Sequence, residues 1–474
     1  MAPAKTLLRD IQQTFRPRRT RDLKTEVAIL GGGPGGSAMA MFLLREGIKP
    51  LVIESETFPR YHIGESMTGA AGKVIRELGL EPQMNERRYP VKKGVKVYGA
   101  TGSTTWFVPV TERDEDWKLR DSYTWQVRRS DFDSMMQEES VRRGATLLRG
   151  KATRPLKRGD ASVRGIEVRT PDGELVEVES DVLVDASGQA TFLANHGVTG
   201  PKYLGHYDKQ TAFFSQTTGA VRGEGTSRED DPDNAVIFYR EKYHWSWFIP
   251  IESDVVSIGV VTPGAYFKEK NQSPKDFLVG ELGTLNPAIK QYLPEVRLVE
   301  RMHVIPNWSY QVMRFTGKGF ICLGDAHRFI DPIFSFGLTV TMCEAQFAAP
   351  VIRRYLDGTG RNSDRPFAEY EVAMEKGIDV LEDTLDSFWE FPYGFAKYVH
   401  HDYKDLMTDM FAGRIYEHQP SEAILAIRKA LKRERSYDDS LYSVPYGSRF
   451  HPESAPLWAP TSSVDSTEEW MGPR

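Results

Sequence analysis

Two short apolar runs near the start of the chain flank one stretch of helical composition. Thr25–Leu30 is the first run, and it breaks off at Gly31. Ser37–Glu46 then has the composition of a helix, and Pro50–Glu54 forms the second apolar run. Continuous apolar runs of this length are typical of buried parallel strands. The order of the three segments predicts a β-α-β unit of about 30 residues.

Further along the chain, two more apolar runs predict strands of the same sheet. Asp181–Ala186 is followed by Ser187 and Gly188, and Phe320–Gly324 is followed by Asp325. Between them the pattern changes to alternating apolar and polar positions that are rich in aromatic residues. These alternating segments are Thr211–Ser215, Ala235–Tyr239, His244–Pro250 and Val255–Val261. Period-two alternation predicts an antiparallel sheet with one covered face.

The patterns together predict an α/β fold whose Rossmann-like nucleotide-binding domain is interrupted by an inserted antiparallel sheet. A chain of 474 residues is too long for one compact core, so more than one domain is expected. The predicted parts are a flexible arm (1–24), the first part of the nucleotide-binding domain (25–205), a substrate-side sheet (206–300), the completion of the nucleotide-binding domain (301–360), and a helical C-terminal region with an irregular tail (361–474).

Composition and charge exclude several classes of function. A net charge of −5 offers no general attraction to nucleic acid or anionic membranes. Cys322 and Cys343 are the only cysteines, which leaves no disulfide framework and no thiolate metal site, so no metal is expected. No apolar stretch of about 18 residues occurs, so we expect no membrane span. Two cysteines are compatible with a reducing compartment, and we expect a cytoplasmic protein.

The first 24 residues are basic, with seven Lys or Arg against two acidic residues. They lack the apolar run of a signal peptide. An organelle transit peptide is one interpretation of this composition. We favour a loose basic arm that precedes the first strand.

A glycine fingerprint lies between the first predicted strand and helix. In Gly31-x-Gly33-x-x-Gly36, the first glycine permits a tight turn, the second admits a pyrophosphate, and the third lets helix and strand pack closely. The helix start at Ser37 then offers free N–H groups to the phosphates. Glu54 lies 18 residues past Gly36 and is placed to bind a ribose hydroxyl. This combination predicts a dinucleotide-binding site.

Two more segments indicate that the dinucleotide is FAD. No second G-x-G-x-x-G occurs, so a separate pyridine-nucleotide domain is not expected. Trp125–Asp133 resembles the V-x-R-x-x-F-D element of flavin monooxygenases, which implies that Arg129 lies beside the flavin. The Gly-Asp-Ala at Asp325 resembles their second flavin motif, which implies that Asp325 binds the ribityl chain. A surface arginine and a capping aspartate are the structural alternatives.

The resemblance becomes more specific in two further motifs. Phe329–Gly337 fits the pattern F-x-x-P-x-x-S-x-G, and Trp245–Pro250 fits W-x-W-x-I-P. Both patterns are hallmarks of flavin-dependent halogenases, and the chain resembles that family from about residue 26 to 346. The family uses reduced flavin (FADH2) and O2 to oxidise chloride or bromide to hypohalous acid, which then halogenates an aromatic ring. A separate flavin reductase is therefore the implied partner.

The resemblance also implies roles for several residues. The backbone N–H groups of Phe336 and Gly337 would hold the halide near a helix start, although this segment could merely pack against the flavin ring. Trp245 and Trp247 alternate on one face of a strand and would keep the substrate away from the flavin. Periodicity alone would instead favour an aromatic core stripe for these two residues.

One lysine is essential in the family, and the sequence offers Lys73 for it. Lys73 lies nine positions beyond Gly64 of a G-E-S element, the spacing of the tryptophan halogenases. Its amine would steer hypohalous acid, as an ammonium donor or as a neutral amine that forms a haloamine. However, Lys73 lies off the apolar stripe of its helix and beside Glu77, so an ordinary surface ion pair would show the same spacing.

The substrate class follows from one departure from the tryptophan halogenases. They carry a Glu within the P-x-x-S loop, where this chain has Phe334. Halogenases of phenols and of carrier-bound pyrroles lack that Glu, so a phenol or pyrrole, free or on an acyl or peptidyl carrier protein, is the expected substrate. The aromatic residues between Trp389 and Phe395 could line a pocket, but interdomain core is our preferred interpretation.

Two rival functions remain open on the sequence alone. A single-component flavin hydroxylase would reduce its own flavin with NADPH, whereas a halogenase needs the separate reductase. A degenerate flavoprotein that acts only as a binding module is disfavoured by the intact motif residues.

Overall fold

The structure of the protein, a computed structural model, describes residues 19–159, 162–204, 210–306, 309–416, 420–432 and 456–458. The predicted irregular tail after Arg435 and most of the predicted basic arm lie outside the described residues, apart from three residues of a short strand.

The strands form two large sheets and three small ones. In chain order, the first twelve strands are β1 (Arg19–Leu30), β2 (Leu51–Glu54), β3 (Val91–Lys92), β4 (Gly94–Tyr98), β5 (Thr105–Pro109), β6 (Thr111–Arg113), β7 (Leu119–Asp121), β8 (Thr124–Trp125), β9 (Thr146–Arg149), β10 (Lys151–Lys157), β11 (Val163–Arg169) and β12 (Leu175–Asp185). The others are β13 (Lys202–Leu204), β14 (Gln210–Thr218), β15 (Ala235–Glu241), β16 (His244–Pro250), β17 (Val256–Pro263), β18 (Arg297–Leu298), β19 (His303–Pro306), β20 (Tyr310–Val312), β21 (Thr316–Gly317), β22 (Phe320–Cys322), β23 (Arg328–Phe329) and β24 (Pro456–Trp458).

The helices lie mostly before residue 150 and after residue 337. They are α1 (Pro34–Arg45), α2 (Gly69–Glu77), α3 (Glu81–Glu86), α4 (Arg129–Arg142), α5 (Phe192–Asn195), α6 (Gly264–Lys270), α7 (Pro274–Thr284), α8 (Ile289–Tyr292), α9 (Gly337–Leu356), α10 (Ala368–Glu390), α11 (Pro392–Lys397), α12 (Lys404–Phe411) and α13 (Glu422–Ala430). One-turn helices occur at Gly188–Ala190, Gly324–Ala326 and Pro332–Phe334, and a π-helical turn at Tyr398–Asp402.

The first large sheet confirms the predicted α/β fold. Its order is β10-β11-β12-β1-β2-β9, and β22 lies beside β12. The strands β9, β2, β1, β12 and β22 are mutually parallel, while β11 is antiparallel to both of its neighbours, β10 and β12. In this sheet β1 is longer than predicted, because its pairing with β12 begins at Arg19 rather than after residue 24. Residues 19–24 therefore belong to the sheet and not to a flexible arm.

The second large sheet differs from the prediction in two respects. Its order is β18-β14-β17-β16-β15-β4-β5, with β19 beside β14, so β4 and β5 join it from within the predicted nucleotide-binding part. Both faces of this sheet are covered by other parts of the chain, whereas the alternation predicted one covered face. In β16, Trp245 and Trp247 pack towards the C-terminal helices, while Phe248 packs on the opposite face with Phe277 of α7. The alternation in β16 therefore separates two cores rather than core from solvent.

Three apolar cores follow from this arrangement. The first lies around the parallel sheet and includes β1, α1 and α9. The second lies between the second sheet and the helices α10 to α13, and it contains Trp389 and Phe395. These two aromatic residues are thus core, as preferred above, whereas Phe391 and Tyr393 are 41% and 92% exposed. The third core fills the space between the second sheet and α7 and α8.

Candidate active site

One cavity in the described residues, which we call the larger cavity, lies at the carboxyl ends of β1, β2, β12 and β22. Ligands in open α/β sheets bind at such an edge, outside the carboxyl ends of the strands. The cavity measures about 550 Å³, and a volume of a few hundred Å³ or more suits a small-molecule or cofactor site. The sequence-predicted residues that line it are Gly31, Gly33, Glu54, Arg129, Trp245, Trp247, Asp325 and Gly337.

The glycine turn after β1 fits a pyrophosphate. Gly31 has φ +103°, and a Cβ there would lie 2.3 Å from the Ala186 carbonyl oxygen. A Cβ on Gly36 would lie 1.9 Å from the Gly31 carbonyl oxygen, so both positions require glycine for packing. A Cβ on Gly33 would meet only the Arg60 guanidinium, at 3.4 Å. The absence of a side chain at Gly33 is therefore not required for packing within the protein. It leaves space at the start of α1 for a ligand.

Glu54 and Ser37 hold the conformation of this turn. The Glu54 carboxylate accepts hydrogen bonds from the backbone N–H of Gly32 and of Glu56, both at 2.7 Å. Each carboxylate oxygen keeps a second lone pair, so Glu54 can still accept from a ribose hydroxyl in the cavity. The Ser37 hydroxyl donates to the Gly32 carbonyl at 3.0 Å, and Ser37 does not line the cavity.

Arg129, at the start of α4, braces the opposite side of the cavity. Its guanidinium forms a buried ion pair with Asp133 at 2.7 Å and donates to the carbonyls of Ile63 and Gly64. These bonds fix the segment that carries Glu65, whose carboxyl also lines the cavity. Burial raises the pKa of Glu65 to about 7, so this carboxyl is partly protonated near neutral pH. The G-E-S element contains Glu65, but its spacing alone gives no sign of this shift.

A turn after β22 presents Asp325 to the cavity. The Glu344 carboxylate of α9 accepts from the Gly324 N–H and pairs with the His327 ring at 2.9 Å. The Tyr310 hydroxyl donates to the Asp325 carbonyl at 2.7 Å. Enclosure raises the pKa of the Asp325 carboxyl to about 7. The backbone of Asp325 is thus fixed, and its carboxyl, which also has a hydrogen bond with Gln189, lines the cavity.

The signature strand β16 forms a wall of the same cavity. Trp245, Trp247 and Ile249 all line the cavity, and all three belong to the second core. The Trp247 indole donates to the Ser257 hydroxyl at 3.1 Å. The Trp245 indole N–H is buried, and none of the described residues accepts from it. This stripe therefore packs in a core and also lines the cavity, while the shielding role of the two Trp residues stays a prediction.

Residues 332–335, which we call the dividing segment, lie between the larger cavity and a second one. Ile333 and Ser335 line both cavities. The segment is followed by Gly337 at the start of the 20-residue helix α9, and Gly337 lines the larger cavity. The Phe336 side chain is buried in the second core and does not line it.

The second cavity is small and mostly apolar. It measures about 50 Å³. Its aromatic lining residues are Trp106, Tyr239, Phe334, Phe388 and Phe411. Among the described residues that line it, Lys92 is the single charged one. A flat, neutral ring matches this chemistry better than a charged substrate.

Lys92 is the residue that the sequence reasoning missed. It ends the two-residue strand β3, and only 2% of it is exposed. Its ammonium nitrogen donates to the Ser66 hydroxyl and the Met67 carbonyl, both at 2.8 Å. Because Ser66 lines the larger cavity and Lys92 the second, this amine lies at the boundary between them. Burial lowers the pKa of Lys92 from 10.5 to about 7.

The structure does not bring Lys73 to either cavity. Lys73 lies on the exposed face of α2, while Ala71, Val74 and Ile75 pack into the first core. Its neighbour Glu77 accepts hydrogen bonds from Gln346 at 2.8 Å. Because Lys73 lines neither of these two cavities, the structure gives no support to the steering amine predicted at Lys73.

Metal binding and membrane insertion are two further properties on which the described residues bear. No group of three or more His, Cys, Asp or Glu there is arranged to hold a metal ion. Within the same residues, no helix has both the length and the apolar character needed to cross a membrane.

Comparison with known proteins agrees with this geometry. The family model described as FAD binding domain matches residues 24–366. The chain is 33% identical over 411 residues to the 1H-pyrrole-2-carbonyl-(peptidyl-carrier protein) brominase of Pseudoalteromonas luteoviolacea (strain 2ta16), covering 86% of this chain and 96% of that protein. It is 25% identical over 462 residues to the corresponding chlorinase of Pseudomonas fluorescens, covering 91% and 99% of the two chains. The solved structure of the flavin-dependent brominase Bmp2 superposes with a TM-score of 0.79 at 34% identity, covering 86% and 98%.

Proposed function

Because this chain belongs to the FAD binding domain family and, within it, to the flavin-dependent halogenases, we propose that it halogenates a pyrrole-type ring on a peptidyl carrier protein. Two relatives that match nearly over their full length act, by their names, on that kind of substrate. The single observation that carries the proposal is the buried amine of Lys92 between an FAD-sized cavity and an aromatic-lined cavity.

FAD binds in the larger cavity, where the residues present fit it. The open helix start at Gly33 would hold the pyrophosphate, Glu54 the ribose and Asp325 the ribityl chain, while Arg129 would brace the cavity wall. Reduced FAD, together with O2, supplies the oxidising equivalent that converts halide to hypohalous acid. Because the chain has one nucleotide fingerprint, a separate flavin reductase provides the reduced flavin.

The halide is bromide or chloride, bound near the start of α9. Backbone N–H groups at a helix start attract anions, and Gly337 lies there on the wall of the larger cavity. The N–H groups of Phe336 and Gly337 are the proposed donors. A halide at this position lies beside the dividing segment, on the side of the larger cavity.

Lys92 transfers the halogen to the ring. With its pKa near 7, a large fraction of Lys92 is a neutral amine at neutral pH. The amine nitrogen bonds the halogen of hypohalous acid while the halogen–oxygen bond breaks, and the products are a haloamine and water. The ring then takes the halogen, loses a proton, and restores the amine. Ser66 and Met67 hold the nitrogen at the cavity boundary throughout.

The substrate ring must be electron-rich enough to react with the halogen without help from a carboxylate of the protein. None of the described residues that line the second cavity is Asp or Glu, so no carboxylate assists there. Phe334 packs edge-on against Phe388 at 5.4 Å and Phe411 at 5.2 Å, which leaves a flat apolar slot. A pyrrole or phenol meets both conditions, because each is electron-rich and planar.

The test is reconstitution with purified components. The protein is incubated with FAD, NADH, a flavin reductase and bromide, with pyrrole-2-carbonyl on a peptidyl carrier protein, and the carrier is examined by mass spectrometry. Bromination of the carrier-bound pyrrole is expected, with little product from free pyrrole-2-carboxylate. Bromination of free phenols alone would overturn the carrier assignment. Rapid flavin reduction by NADPH without the reductase, with a hydroxylated product, would instead favour the hydroxylase.

A further inference from the structure

Asp331, immediately before the dividing segment, is a buried carboxylate whose hydrogen-bond partners are uncharged donors. Its Oδ1 accepts from the Ile333 N–H at 3.1 Å. Its Oδ2 accepts from the Gln210 side-chain amide at 3.2 Å and from the Trp389 indole at 3.1 Å. The residue is 5% exposed. Three parts of the chain, at β14, at the end of α10 and in the dividing segment itself, therefore meet at one side chain.

The segment that Asp331 holds has an unfavourable backbone conformation. Ser335 has φ +61°, in the left-handed region that non-glycine residues seldom occupy. Such a conformation persists only where the surroundings determine it. The bond from the Ile333 N–H to Asp331 closes the turn that leads into Ser335. Asp331 thus contributes to keeping Ile333 and Ser335 on the boundary between the two cavities.

The bond from Trp389 links this boundary to the wall of the second cavity. Trp389 packs against Tyr239 and Phe388, with ring centroids 6.4 Å and 4.6 Å apart. Both of these neighbours line the second cavity. Movement of the Asp331 carboxylate would therefore displace the dividing segment relative to the aromatic slot.

We propose that Asp331 is a positioning residue that holds the wall between the two cavities, so that hypohalous acid reaches Lys92 instead of escaping to solvent. The proposal rests on the proposed function, because it assumes that oxidant forms in the larger cavity and is used in the second. The role of Asp331 is to set the geometry of the boundary between the two cavities. Its side chain touches neither FAD nor substrate.

The matched pair Asp331→Asn and Trp389→Phe tests the link. An Asn amide offers one acceptor and one donor in place of two acceptors. Gln210 can turn its own amide, whose oxygen is buried without a partner in the described structure, but the Trp389 indole can only donate. When the Asn oxygen keeps the Ile333 N–H, Asp331→Asn breaks the bond from Trp389, which Trp389→Phe removes from the other side; when the amide is turned, it breaks the bond from Ile333 instead. In the first orientation the double variant should be no worse than either single variant, because both remove one interaction, and in the second orientation the two losses should add.

Two measurements test whether Asp331 holds the wall. The first is the ratio of brominated carrier to hypobromous acid trapped in solution, per reduced flavin consumed. A displacement of about 1 Å can cost up to about 100-fold in a positioned reaction. We expect this ratio to fall at least about tenfold in both single variants, while the FAD dissociation constant changes less than about twofold. Asp357→Asn, a half-exposed carboxylate paired with Arg353 on α9, is the control and should behave as wild type.

The second measurement needs no flavin. The rate at which a small amine-reactive reagent labels Lys92 in FAD-free protein is followed by peptide mass spectrometry, and it should rise severalfold in both variants if the wall opens. Unchanged labelling and ratio, or product and trapped oxidant that fall together with FAD affinity, would overturn the proposal. If wild type oxidises no bromide at all, the proposed function fails, and Lys92 labelling still decides whether Asp331 holds the wall.

Discussion

Replacement of Lys92 by methionine should abolish halogenation and at the same time stabilise the protein below neutral pH. Methionine has a similar length and no charge, so it can occupy the same buried space. The lowering of the Lys92 pKa from 10.5 to about 7 corresponds to roughly 5 kcal/mol of destabilisation when the amine is charged, at about 1.4 kcal/mol per pKa unit. The substitution removes that cost.

Two hydrogen bonds are lost in exchange. The bonds from Lys92 to Ser66 and Met67 are worth about 1 kcal/mol each. The net gain in the free energy of unfolding at pH 6 is therefore roughly 3 kcal/mol. The unfolded chain binds more protons than the folded one between pH 7 and 10.5, so wild type gains stability as the pH rises through this window. By pH 10 the advantage of the variant should have disappeared.

The assay is urea unfolding of FAD-free protein at pH 6 and pH 10, with the reconstituted halogenation assay beside it. Lys73→Met is the matched control, because it makes the same substitution at an exposed lysine. It should change the free energy of unfolding by less than about 0.5 kcal/mol and leave product formation unaltered. A Lys92→Met variant that is less stable than wild type at pH 6, or that retains bromination, would refute the reasoning.

Three further predictions concern the cofactor and the amine. Gly33→Val should lose FAD, because its side chain would fill the space left for the pyrophosphate; flavin absorbance near 450 nm in the purified variant checks this, and a full FAD complement would contradict it. Turnover should require an external flavin reductase, and rapid flavin reduction by NADPH alone would speak against it. Product per reduced flavin should rise with pH and level off above about 7 as Lys92 loses its proton, so a fall over that range would indicate that the ammonium, not the amine, acts.

Lys92→Arg tests the same amine by another route. Guanidinium keeps a positive charge at all accessible pH values. General acid–base and related proton-transfer roles are typically worth about 10²–10⁴-fold, so the variant should lose activity to nearly the same extent as Lys92→Met.

The sequence by itself determined the features that depend on local spacing. The glycine turn, Glu54 at the end of β2, Arg129 at the start of α4 and Asp325 after β22 follow from patterns read along the chain, and the cavity gathers all of them. The strand β16 occupies the predicted residues, because period-two alternation specifies a strand directly. The glycine turn, Glu54 and Asp325 lie at one edge of the first sheet, because its parallel strands end together there.

Only the tertiary structure showed which lysine is buried at a cavity. A helical wheel places Lys73 off the apolar stripe, but the wheel does not say what covers that side. Lys92 ends a two-residue strand and is followed by another lysine, Lys93. The residues that its amine contacts, Ser66 and Met67, lie about 25 residues earlier in the chain. The same holds for the second sheet, whose outer face is covered by α7 and α8. The spacing of residues along the chain predicts which side of a helix or strand a side chain occupies. Whether that side is buried depends on what packs against it, and this is known only from the contacts of the folded protein.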